Sequence, residues 1–372
     1  MQKPPIRSRQ IKTAEELLLS KKYKESVVAL ENISANELPQ EEKVYLSLLK
    51  AEANLYVGNY AIEAHLEECL NYYKHTNRNH EFARAKYLHG WFLLSKGDFF
   101  AAREVLQESY AGFLRCDDIH SQARALNHLG FIAYHVGEIQ SAVAYLEKCI
   151  GLYAKAGDET NQISMAMNLA FMHFSLGQLS DSVEVYSKIQ PKILENSTKN
   201  ICLYYSMSAI PFALRGETDK AKSIIDQATR YMEDFIREQA IYYENLGWIY
   251  LLEENYSAAE KTLIEGLRIS LDIAPDSALV SQIKRRLAEA CLGQNQYDRA
   301  LRYTDEAMAV AEKLNERIEI AACYRIFARL ETKDGNKEKP LGYFKKAIDI
   351  FSAAGARYEL AVTRYLEAIS GV

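Results

Sequence analysis

Apolar residues return along the chain at spacings of three and four, as at Leu263, Leu267 and Leu271. That period belongs to helices burying one face. No run alternates apolar and polar residues as a half-buried strand would, so the pattern predicts an all-α protein. A turn residue punctuates the helices at Lys21, Gly58, Gly97, Gly137, Gly177, Gly216, Glu254, Asn295 and Gly335. Successive spacings are 37, 39, 40, 40, 39, 38, 41 and 40 residues. Six of the nine are Gly, which takes the left-handed conformation that ends a helix at little steric cost.

Other positions keep step with that anchor. Seven residues before it stand Ala14, Ala51, Gly90, Gly130, Ala170, Ala209, Gly247, Ala288 and Ala328, every one small. Five residues after it stand Ser26, Glu63, Ala102, Ala142, Ser182, Ala221, Ala259, Ala300 and Pro340, seven of them Ala or Ser. A position that stays small marks two helices in close approach. Two residues after the anchor, bulky residues such as Tyr23, Tyr60, Phe99, Tyr256 and Tyr297 plug the turn. Each unit therefore reads as helix A, a short turn and helix B, stacked into a solenoid whose units bury their apolar faces on their neighbours.

This pattern resembles the tetratricopeptide repeat family. The period of about 40 exceeds the family's usual 34. The longer form, with B helices ending in stretches such as AKAGDE and KLNER, is similar to the repeats of kinesin light chain, of maltose-regulon-type bacterial activators, and of Rap and related peptide-sensing regulators. The resemblance implies a right-handed superhelical solenoid of about nine helix pairs plus a C-terminal helix. Residues 1–10 read as an N-terminal tail and 11–372 as a single array, with 356–370 as a capping helix. Pro340 fits the first turn of the ninth B helix. The closing segment FSAAGARYELAVTRYLEA resembles the end of repeat arrays in large bacterial signalling ATPases and activators, which would place an effector domain or partner chain beyond it.

Composition adds exclusions. The 45 basic and 50 acidic residues leave a net charge of −5, which opposes a general polyanion binder. Six cysteines (Cys69, Cys116, Cys149, Cys202, Cys291 and Cys323) form no C-x-x-C pair, as suits thiols of a reducing cytosol. No apolar stretch follows the N-terminal MQKPPIRSRQ and none is long enough to span a bilayer, so the expected location is cytoplasmic, away from membranes. The phosphate-cradling, zinc-protease and nucleophile-elbow motifs are absent. His128 and His135 share roughly one face of an A helix but have no matched third ligand; no metal, no cofactor and no enzymatic activity are expected.

The resemblance implies that A helices line a concave groove. The residues after the small positions, from Glu52 onward, are Trp91, Phe131, Phe171, Ile210, Trp248, Glu289 and Arg329. Both tryptophans of the chain are among them. One turn earlier come Tyr87, Asn127, Met167, Glu244, Arg285 and Arg325, and one step on His128, Asn168, Asn245 and Arg286. Aromatics there would anchor a peptide or protein segment, and Asn side chains would hydrogen-bond its extended backbone. Arg285, Arg286, Arg325 and Arg329 would form a basic end for an acidic group. The expected function is a non-enzymatic scaffold or sensor domain of a bacterial regulatory system that binds a peptide or partner protein. A Rap-like regulator of a response regulator is a second possibility. It is disfavoured because repeats starting near residue 11 leave no room for a preceding helical bundle. A nucleic-acid-binding solenoid is a third, opposed by the acidic balance.

Overall fold

The computed structural model describes residues 8–332 and 337–371. Among the described residues there are twenty α-helices and no strand. The chain divides into two compact units, Met1–Leu129 and Gly130–Val372. The first holds the pairs α1 (Arg9–Leu19) with α2 (Tyr23–Glu31), α3 (Gln40–Tyr56) with α4 (Glu63–Tyr73), and α5 (Asn79–Ser95) with α6 (Phe99–Arg115). Helix α7 (Ile119–His135) contains the boundary, and at Gly130, in the second unit, it meets α8 (Ile139–Ala156). The second unit continues with α9 (Glu159–Ser175) and α10 (Leu179–Ile193), then a sixth pair built of α11 (Thr198–Ser208), α12 (Ile210–Leu214) and α13 (Thr218–Ile225). It ends with α14 (Ile236–Leu252), α15 (Tyr256–Ile273), α16 (Ala278–Gly293), α17 (Tyr297–Lys313), α18 (Arg317–Glu331), α19 (Glu338–Ala354) and α20 (Arg357–Ile369).

The turn residues carry the conformation their spacing predicted. Of the nine, Gly335 lies outside the described residues; the other eight all have positive φ, from 58° at Glu254 and Asn295 to 83° at Gly137. A second left-handed series, Asp117, Gly157, Asn315 and Gly355, closes B helices. The turn at Asp98 shows how one residue ends a helix and starts the next. Its N–H donates to Leu93 O at 3.1 Å, closing α5, while its Oδ1 accepts from Ala101 N at 3.1 Å, opening α6.

The small positions lie where helices A and B cross. In the first pair Ser26 Oγ donates to Ala14 O at 2.9 Å, tying the two small residues together. A Cβ on Gly90 would fall 2.5 Å from Leu106, and one on Gly247 2.5 Å from Leu263. The second pair departs from the pattern: Glu63 is exposed, and Ile62, 1% exposed, fills the close approach instead.

Two prolines shape the later units. Pro211 has no N–H to give, and the sixth A helix breaks at Ala209 into α11 and α12. The B helix that follows runs only eight residues as α13 before passing into a 3₁₀ turn, Asp226–Arg230. Pro340 sits in the first turn of α19, where a missing donor costs nothing.

Within the second unit the end of α19 and the start of α20 return to the fourth and fifth pairs. A Cβ on Gly137 would lie 3.3 Å from Ala354, and one on Gly177 3.2 Å from Arg357. Phe174 and Tyr358 rings stand 5.4 Å apart. No helix among the described residues is long and apolar enough to cross a membrane.

Candidate functional site

The second unit also holds a cavity of about 280 Å³, which Phe174 shares with these contacts. Its apolar wall is a chain of rings. Phe131 lies 4.1 Å from His135, Tyr134 5.5 Å from Phe171, Phe171 5.5 Å from Phe174, and Phe174 5.5 Å from Trp248. Phe131 is 46% exposed, whereas Ile132 beside it is fully buried. Asn168, Asn245 and Gln282 bring amide groups to the same wall, and Ile210 completes it with Met207 and Ile241. Rings for anchoring and amides with both donors and acceptors suit an extended chain whose backbone needs partners.

The arginines are placed otherwise than as an open basic end. Arg285 Nε donates to Glu319 at 2.7 Å and Nη1 to Glu289 at 3.2 Å. Arg325 bonds Glu289 and Glu359. Arg286 bonds Glu244 and lies over the Trp248 ring, 3.8 Å from its centroid. All three arginines are buried, and each has its carboxylate. Burial would raise the Glu289 carboxyl, but Arg285 and Arg325 overcome that and hold it at about 2. Burial does raise Glu319, only partly offset by Arg285. Arg329 is half-buried, and burial lowers its pKa. The cluster is thus a neutralised network that supports Trp248 and the seam to α20 from behind. Met167, 1% exposed, belongs to the hydrophobic core with Ile163, Tyr186 and Ile201 and contributes no groove surface.

The first unit holds the remaining candidates in a different setting. Trp91 packs against Tyr56 at 4.9 Å and His128 at 5.6 Å, and Tyr87 stacks on His128 at 5.2 Å. Arg124 lies 4.6 Å from the Tyr87 centroid and donates to Tyr56 Oη and Glu52. Arg84 takes the other Glu52 oxygen at 2.7 Å, and the two arginines hold that carboxyl at about 2 against the effect of burial. Burial, with Arg124 nearby, pushes His128 down to about 3. Asn127 is half-buried beside this cluster's His128 in sequence. Of the first-unit candidates, the rings are largely spent on one another.

The sequence reading missed Tyr134, His135, Phe174 and Gln282. Tyr134 and Phe174 lie four residues after the small positions Gly130 and Ala170, one helical turn beyond the residues selected, so the same phase extended by a turn would have found them. The glutamates also keep the repeat's phase: Arg285 and Arg325 are 40 apart, as are Glu319 and Glu359. Among the described residues no group of His, Cys, Asp and Glu could hold a metal ion.

A tetratricopeptide repeat model matches residues 122–156, and a second matches residues 240–273. The chain carries tetratricopeptide repeats. Comparison of this repeat protein with curated proteins finds no match. Several solved structures share its fold. A Rap protein complexed with competence and sporulation factor is 13% identical, with a TM-score of 0.64, covering 95% of this chain and 98% of that one. The Rap conjugation gene regulator of the plasmid pLS20 in complex with the Phr* peptide is 13% identical, with a TM-score of 0.60, covering 93% and 94%. NprR in complex with its cognate peptide NprX is 16% identical, with a TM-score of 0.55, covering 82% and 88%. At these identities the likeness is one of fold.

Proposed function

We propose that this repeat protein is a scaffold or sensor that binds a short extended peptide, or a segment of a partner protein, in the second unit's cavity. The observation that carries the reading is the pairing of Asn168 and Asn245 with Phe131, Phe171 and Trp248 on one wall. The rings offer apolar area, and the amides offer backbone hydrogen bonds that few other ligands would use in series. Arg285, Arg286 and Arg325 are committed to carboxylates, so the cavity lining itself offers the exposed Arg237 and the paired Glu244 as its charged groups. The paired arginines weigh against a nucleic acid, which needs a run of unpaired cations. A bacterial regulatory role in the cytoplasm, without catalysis, remains the setting we propose.

A Rap-like regulator is the second reading. The fold match spans 98% of a Rap chain, so the argument that no room exists for an additional N-terminal part loses its force. Both readings share the peptide-binding step.

Affinity selection from a random pentapeptide library, followed by calorimetry, tests it. A selected peptide should lose about tenfold in affinity on Asn245→Ala, the cost of one or two buried hydrogen bonds. Phe171→Ala should weaken it further. No enriched peptide, or equal binding by both variants, would sink the reading.

A further inference from the structure

We infer that the second unit contains a separate binding site for a small aromatic acid. It is a cavity of about 340 Å³ that shares only Tyr186 with the wall of the cavity described above. It does not rest on the peptide reading.

The cavity follows from the irregular sixth pair. Elsewhere in this unit B helices run regularly for 15 to 18 residues. Here α13 stops after eight residues and the chain narrows into the 3₁₀ turn at Asp226–Arg230. Side chains of that slimmer segment leave space against α10 and α11. The space is walled by rings: Tyr186 and Tyr204 stand 5.9 Å apart, Tyr204 and Tyr205 5.3 Å, each pair edge to face, with Phe212 alongside. A flat aromatic ligand finds edge and face partners there.

Two polar groups define the rest of the ligand. Ser208 lines the cavity, is 3% exposed, and its Oγ has no hydrogen-bond partner. Its neighbour Ser206 shows the usual solution for a helical serine, donating to Cys202 O at 2.9 Å. A buried hydroxyl left unpaired is a cost that a ligand atom can remove. At the solvent side stands Lys220, the sole charged residue of the lining, its ammonium 3.9 Å from the Phe212 centroid. It pairs with the half-buried Glu217 at 3.4 Å. The complementary molecule has a ring in the middle, a hydroxyl or similar group at the buried end and a carboxylate at the exposed end.

The test is calorimetry on the full chain with three probes: 4-hydroxyphenylacetate, phenylacetate, which lacks the buried-end hydroxyl, and 2-(4-hydroxyphenyl)ethanol, which lacks the carboxylate. The first should bind tightest. Ser208→Ala should weaken it about tenfold and leave phenylacetate unchanged. The same variant should raise the melting temperature of the free protein, because it deletes an unsatisfied hydroxyl. Lys220→Gln, on the surface, should weaken both acids and spare the alcohol. No heat with any probe at millimolar concentration overturns the assignment. So does one common affinity that neither variant changes.

Discussion

His135 Nδ1 lies 2.9 Å from Glu316 Oε1, and both side chains are buried. The contact joins the end of α7 to the residue that precedes α18, so it ties the fourth pair to the ninth within the second unit. Glu316 Oε2 has no hydrogen-bond partner. His135→Ala therefore strips a buried carboxylate of its imidazole. We expect a loss of about 1–3 kcal/mol in urea unfolding, with faster hydrogen exchange at the start of α18. Unchanged exchange there would mean that the seam is held by apolar contacts alone.

Arg286 is bonded to Glu244 and stacked on Trp248. Glu244→Leu leaves a buried guanidinium without its counter-charge and should destabilise by about 3–5 kcal/mol. The double variant Glu244→Leu/Arg286→Met should recover most of that loss. A double variant as unstable as the single would show that the arginine is not stranded by the first change.

Phe131 and Met167 stand one helical turn apart in the repeat phase but in opposite environments. Phe131→Ala, at a 46% exposed site, should cost under about 1 kcal/mol, whereas Met167→Ala, at 1%, should cost about 2–5 kcal/mol. Equal costs would contradict the division between cavity wall and core.

The small positions are not equally tight. Gly247→Ala drives a methyl to 2.5 Å from Leu263 and should destabilise by about 1–3 kcal/mol. At Gly130 the nearest atom to a new Cβ is 3.5 Å away, so Gly130→Ala should be neutral or stabilise by up to about 1 kcal/mol through helix propensity. Thermal melts of the two variants decide it.

Acid should act on the first unit through His128. Its folded value of about 3 lies below the ordinary 6.5, because the buried ring has no room for a charge. Between those values the unfolded chain binds a proton that the folded chain refuses. Stability therefore falls as pH drops from about 6.5 toward 3, by about 1.4 kcal/mol per pH unit for this one group. Glu52 and Glu289, each held at about 2, add losses of the same sign below pH 4.5. His128→Phe should flatten the slope between pH 6.5 and 5; an unchanged slope would assign it to other groups.

The repeat period, the helix pairs and the left-handed turns were legible in the sequence because each depends on local chemistry. A small residue at Ala14 or Gly247, a turn at Lys21 or Asn295, and an apolar stripe act within one pair. Even the non-glycine turns at Glu254 and Asn295 were placed by period alone. The candidate site was legible only in part. Phe131, Asn168, Phe171, Asn245 and Trp248 are in the cavity wall, while Met167 is core, and Arg285, Arg286 and Arg325 answer to Glu319, Glu244 and Glu359. Which face an inner residue presents depends on how successive pairs rotate, and which charges stay free depends on partners 34 to 42 residues away. The return of α20 to α9, and the broken sixth pair that opens a second cavity, arise from those accumulated rotations and from Pro211. A one-dimensional pattern records each step of a solenoid, whereas only the folded chain fixes where the steps meet.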